Sequence, residues 1–203
     1  SQKNVGVCRT LNRGIREFSK GEYICVLASD DYYESAKIEK QLQTLAVTDD
    51  TEFCYTQAGE FDSETGKTLN VFPKKEFFGN VLNKLIFRQP YAAGSIMFTR
   101  ELYDRVGGFD DCLPAEDWDF SLRCAAATKF IGVHEPLFYY RSHATNSMKL
   151  MGRRKIFRGK AMILAKNYLL VSPFRWLCAL LFHYVYDHLY RFIIHLNIKK
   201  VVN

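Results

Sequence analysis

Hydrophobic positions change period several times along the first 150 residues, and each change predicts an element. Val7, Leu11, Ile15 and Phe18 recur at spacings of four and three, which predicts an amphipathic helix over 7–19 ending near Gly21. A short apolar run from Tyr23 to Ala28 reads as a buried strand, and Ser35 as the N-cap of a helix carrying Ile38, Leu42 and Leu45. Phe53 to Phe61 reads as a strand, Asp62-Ser63-Glu64-Thr65-Gly66 as a hairpin turn, and Lys67 to Phe72 as the returning strand. A helix with Val81, Leu82, Leu85 and Ile86 precedes Pro90, and a loop with the flexible Gly94 runs into a strand at Ile96-Met97-Phe98. A further short helix stops at Gly107-Gly108. Glu116-Asp117 open the next one, whose inward side is predicted to carry Phe120, Leu122, Ala125 and Ala126; strands at 130–133 and 137–141 then lead to His143. Strands alternating with helices make this body α/β.

From residue 153 the pattern is helical only, so the chain divides into a body at 1–150 and a tail at 151–203. In the last helix His183, Asp187, Arg191 and His195 recur every four residues as one polar stripe, flanked by apolar residues such as Leu177, Leu181 and Val185. The stripe is expected to face solvent; a metal site from His183, Asp187 and His188 is geometrically allowed. A broad apolar face with basic residues fits a helix lying in a membrane interface, and equally one packed on the body or on a partner subunit. Charge sharpens this. The tail holds ten of the 28 Lys+Arg and one acid, a net +9, while the body's 18 basic residues face 21 acids, a net −3. Such a tail suits an anionic phospholipid surface; its apolar bulk and the acidic body argue against a nucleic-acid partner. Six cysteines without a CxxC pair imply a reducing compartment. With neither a signal-peptide pattern nor an apolar run of membrane-spanning length, the expected location is cytoplasmic, peripheral at the cytoplasmic face of the membrane.

The chemistry gathers at Ala28-Ser29-Asp30-Asp31, where the apolar run ends in two carboxylates. Open α/β sheets bind ligands at such strand ends, and paired carboxylates suit Mg²⁺ or Mn²⁺. Taken alone, the pair is more simply a polar turn capping the next helix.

Four pieces in a fixed order change the balance: Asn4-x-Gly6-x5-Asn12-x-Gly14-Ile15; Gly21-Glu22-Tyr23-Ile24-x3-Ala28-Ser29-Asp30-Asp31; Gly107-Gly108-Phe109-Asp110-x5-Glu116-Asp117-Trp118-Asp119-Phe120-x2-Arg123; and Tyr140-Arg141-x-His143. Together, over residues 4–147, the chain resembles the family-2 inverting glycosyltransferases of the GT-A fold. The resemblance implies a GT-A core whose opening strand, helix and second strand lie before residue 1. It implies a nucleotide-sugar donor, a glycan or lipid-linked acceptor and a divalent cation held by Asp30, Asp31 and His143. By the same resemblance Asp117 is the catalytic base, with Glu116 beside it to orient the acceptor. Arg9, Asn12 and Ser29 fall on the donor side, and Gly94, Ser95 and Trp118 on the acceptor side. These roles suit the residue types, since inverting transfer needs an ionised carboxylate to take the acceptor proton and positive charge on the departing diphosphate. The chain departs from the pattern at Ala28, where the motif's first acid stands in the family, at Leu11 for an arginine and at Ser35 for a proline. Those departures keep a second reading alive, a binding module that retains the fold without turnover.

Overall fold

The computed structural model describes residues 3–113, 116–143 and 152–201; the side chains of Glu116, Arg153 and residues 188–201 lie outside that description. In chain order the elements are α1 (Val7–Arg13), a π-helical turn (Gly14–Phe18), β1 (Tyr23–Cys25), β2 (Tyr32–Tyr33), α2 (Lys37–Ala46), β3 (Thr51–Asp62), β4 (Thr68–Phe72), α3 (Leu82–Leu85), a 3₁₀ turn (Ala93–Ser95), β5 (Ile96–Thr99), α4 (Arg100–Val106), α5 (Glu116–Ala127), β6 (Lys129–Ser142), α6 (Arg153–Lys166), a 3₁₀ turn (Tyr168–Leu170) and α7 (Pro173–Val201). Six strands form one mixed sheet in the order β1-β5-β3-β6-β2, with β4 added to the far part of β3. Among the described residues only β3 and β6 run parallel.

The centre of the sheet is aromatic because β3 and β5 are buried on both faces, with Phe130, Leu137 and Phe138 of β6 buried beside them. Phe53 stacks on Phe130 across the parallel pair at 3.8 Å between centroids. Phe98 meets Phe120 of α5 edge-on at 4.9 Å, and Phe109 closes against Phe120 at 4.5 Å. Residues 129–142 form one strand instead of the two expected. The ladder is irregular where Gln57 opposes Pro136, which has no N–H to give, so the predicted gap is a bulge.

Two helices differ from the periodic reading. The 7–19 segment turns inward on Cys8, Leu11 and Ile15, while a π-helical turn carries Phe18 out to solvent. Arg100 collects the carbonyls that this end leaves open, donating to those of Ile15, Ser19 and Gly21. In α2 the buried positions are Lys37, Gln41 and Leu45, with Ile38 exposed. The Lys37 Nζ donates to Gln41 Oε1 at 2.7 Å and lies 4.1 Å from the Tyr33 ring centroid, contacts that offset part of the cost of burying it. Burial lowers its pKa. Gln41 Nε2 passes the network on to the carbonyls of Cys54 and Ser95, pinning the 3₁₀ turn to β3.

The tail packs on the body through its polar stripe. His183 and Asp187 are buried: His183 Nε2 lies 3.1 Å from the Ile86 carbonyl, and Asp187 receives Lys160 of α6 at 3.0 Å. The expected solvated stripe is thus an inward one: His183 meets the body at the Ile86 carbonyl, and Asp187 is held by Lys160 from the neighbouring tail helix α6. Arg191, His195 and the candidate ligand His188 lie outside the described side chains. The outward face carries Phe174, Leu177, Leu181 and Val185. Among the described residues no helix is long and apolar enough to cross a membrane.

Candidate functional site

The acid pair sits in a turn where β1 leaves the ladder early. Only Tyr23–Cys25 pair with β5; the chain then turns, with the Asp31 amide on the Ala28 carbonyl and the Tyr33 hydroxyl on that of Val26, and re-enters the sheet as β2 beside β6. This lays Asp30 and Asp31 against the C-terminal end of β6. The Arg141 amide donates to Asp31 Oδ1 at 3.0 Å, Arg141 Nε donates to the Asp30 carbonyl at 2.9 Å, and His143 Nε2 stands 3.4 Å from Asp30 Oδ2. Tyr32 stacked on Tyr139 at 4.9 Å fixes the register of the turn. Burial pushes the Asp31 carboxyl up, the Arg141 amide opposes it, and the neighbouring charge of Asp30 adds to the rise. Two crowded carboxylates beside an imidazole make a hard donor set that fits Mg²⁺ or Mn²⁺.

Asp117 is the second residue of α5, where the helix dipole favours an anion. It is half-buried, and Gln89 Nε2 donates to its Oδ2 at 3.1 Å. Burial raises its pKa, against hydrogen bonds from the Trp118 amide and Gln89. A carboxylate held this way is a stronger base than an exposed one.

The other predicted residues separate into two groups. Ser29 is exposed on the acid turn. Arg9 pairs with Asp111, and the Asn12 amide is spent on Phe109 N, Phe109 O and the Tyr103 hydroxyl, so both serve the Gly107–Asp111 loop in this structure. Gly108, at φ +74°, leaves no room for a Cβ between Tyr103 and Asn12. Gly94 lies against the Phe138 ring, where a Cβ would overlap it. Two residues expected on the acceptor side are buried. Trp118 is 7% exposed, with its indole N–H on the Leu85 carbonyl at 2.9 Å and its ring against His183, so it packs the core and offers no stacking face. Ser95 is fully buried and its hydroxyl donates to Ala92.

Residues that the sequence reading left without a role complete the framework. The buried Asp119 receives Arg123, Lys166 and Asn167, tying α5 to α6, and Arg123 also caps α4 through the carbonyls of Val106 and Gly108. Arg123 stood inside a quoted motif; Gln89 and Asn167 carried no signal. Among the described residues the ligand atoms of Asp110, Asp111 and Cys112 also lie within 4.8 Å of one another. That cluster is already neutralised, Asp111 by Arg9 and Asp110 by Lys166. All six cysteines are free thiols.

A solved mannosyltransferase of Pyrobaculum calidifontis, in complex with GDP-Man and Mn²⁺, superposes with a TM-score of 0.58 at 16% identity, over 92% of this chain and 50% of that one. A glycosyltransferase of Rickettsia bellii is 35% identical over 117 residues, which is 55% of this chain and 16% of that protein. The Bacillus subtilis glycosyltransferase EpsH is 26% identical over 174 residues, 79% of this chain and 49% of its own length. The chain thus spans about half or less of these relatives. The fold is the α/β GT-A fold followed by a helical segment. The model of the glycosyltransferase like family 2 matches residues 1–171, and the chain belongs to that family.

Proposed function

We propose that the protein transfers a sugar from a nucleotide-sugar donor to a hydroxyl of a glycan or lipid-linked acceptor, with inversion and with a divalent cation. The observation that carries this reading is the pairing of two unlike carboxylate sites: Asp30 and Asp31 crowded beside His143, and Asp117 half-buried at a helix start. Asp30, Asp31 and His143 would hold Mg²⁺ or Mn²⁺, which supplies positive charge to the departing diphosphate. Asp117 takes the proton from the acceptor hydroxyl as its oxygen bonds to the anomeric carbon, on the face opposite the breaking bond to the diphosphate. Glu116 orients the acceptor, and Ser29 lies on the donor side of the acid turn. Incubation of the full chain with nucleotide sugars, Mn²⁺ and glycan acceptors, read by NMR of the new linkage, should give the anomeric configuration opposite to the donor's. Retained configuration would reject inversion. The second reading, a binding module, draws on Ala28 and on the internal commitments of Arg9 and Asn12; it requires metal-dependent nucleotide binding with no transfer at all.

The tail adds a place of work, the cytoplasmic face of a membrane. Since His183 and Asp187 turn inward, Phe174, Leu177, Leu181 and Val185 are left facing out, with Arg154, Lys155 and Arg158 exposed on α6. An apolar face rimmed with cations is the composition of an interfacial helix on anionic lipid. Co-sedimentation should therefore be strong with phosphatidylglycerol vesicles, weak with phosphatidylcholine ones, and reduced about tenfold or more by Leu177→Glu with Leu181→Glu. Equal binding of the double variant would remove the tail from the membrane.

A further inference from the structure

Gln89 stands between α3 and the 3₁₀ turn, followed by Pro90, and its amide is used at one end only. Nε2 donates to Asp117 Oδ2 at 3.1 Å, while Oε1 is buried with no partner. The orientation follows from chemistry, since an ionised carboxylate only accepts hydrogen bonds and must face the NH₂ end. A buried carbonyl oxygen without a donor is costly, so its persistence beside the Asp117 carboxylate asks for a donor that arrives with a ligand. The segment that carries it is well anchored: Leu85 and Ile86 accept from Trp118 and His183, which holds Gln89 at a set distance from the start of α5.

We propose that Gln89 is a positioning residue for transfer, holding Asp117 through Nε2 and receiving a hydroxyl of the acceptor on Oε1. The inference rests on the assignment of Asp117 as base. The carboxylate and the amide oxygen are adjacent, so an acceptor fits both when the reacting hydroxyl meets Asp117 and a neighbouring hydroxyl donates to Oε1. This favours acceptors in which the attacked hydroxyl has a hydroxyl next to it, as on most sugar rings, over isolated alcohols. Gln89 thereby aligns the base and selects the acceptor without touching the donor.

The test uses the full chain with Gln89→Met, which keeps the volume and removes both polar ends, and Gln89→Glu, which keeps the shape but removes the N–H. Carboxyl ¹³C NMR titration of Asp117 needs no substrate: in Gln89→Met the midpoint should move up, because the hydrogen bond to the ionised form is gone, and in Gln89→Glu the two adjacent carboxyls should titrate as a coupled pair. Turnover should fall by about tenfold to a hundredfold with the KM for the nucleotide sugar unchanged and the KM for the acceptor raised. An unmoved Asp117 midpoint overturns the proposal, as does a fall in turnover accompanied by a raised donor KM. If the midpoint moves while Asp117→Asn keeps full turnover, the base assignment fails and takes the catalytic role of Gln89 with it, leaving only the contact.

Discussion

Asp117→Asn is expected to cut transfer by about 10²–10⁴-fold while the protein becomes more stable at neutral pH. Both effects come from one side chain. Burial raises the Asp117 carboxyl above its ordinary value, so the folded chain holds that proton more tightly than the unfolded chain does. Below the unfolded value the group is neutral in both states and adds nothing. As pH rises through the window between the unfolded and the folded pKa, the fold must carry a buried anion, and it loses stability; above the folded pKa that loss is complete. An asparagine removes the loss, and thermal unfolding followed against pH should therefore show the variant gaining on the wild type as pH rises from acid to neutral. The acid limb of kcat/KM in the wild type should lie above the range of an ordinary aspartate, since the base works only when ionised. Binding of Mn²⁺ and nucleoside diphosphate should stay unchanged. A variant with wild-type turnover would end the assignment, and one that is less stable at neutral pH would show that the hydrogen bonds to Asp117 outweigh its burial.

Asp31→Ala is expected to abolish metal-dependent binding of nucleoside diphosphates, at least about a hundredfold by calorimetry, because a small hard cation at this site loses one of its few charged oxygens. Asp31 is the better probe of the pair. Its carboxylate faces the Arg141 amide at the end of β6, whereas Asp30 is the more exposed. Asp31→Asn, which keeps an oxygen for Arg141, separates loss of metal from loss of the turn: it should match the alanine variant in binding and the wild type in unfolding temperature. Asp111→Ala serves as the control, since that carboxylate is already paired with Arg9, and it should leave binding intact. Metal-dependent binding within threefold of wild type in Asp31→Ala would move the cation elsewhere.

The order of elements was readable because it rests on local signals. The Asp62–Gly66 turn, the glycine stop at Gly107 and the aromatic strands each announce themselves within a few residues. The acid pair and Asp117 were readable for a different reason, as parts of an ordered set of motifs. What remained hidden depends on partners far away in sequence. Lys37 faces inward because Gln41 and the Tyr33 ring receive it, which no helical periodicity records. Trp118 is enclosed by Leu85 and His183, and His183 itself turns inward on a carbonyl 97 positions away. Gln89 is hidden most completely. It sits in a loop of no period, and its interest lies in one atom that bonds to Asp117 and one that bonds to nothing.

The buried Asp119 has a consequence for how such a chain is made. It lies on α5 two residues after Asp117, yet two of its donors, Lys166 and Asn167, come from the far end of α6. Domains form as they leave the ribosome, from the N-terminus onward. The sheet strands and α5 are all synthesised by residue 142, but the charge at Asp119 stays only part-balanced by Arg123 for some two dozen residues more. The helix that carries Asp117 settles fully only when α6 has been delivered, so the tail is also the last piece that fixes α5 in place.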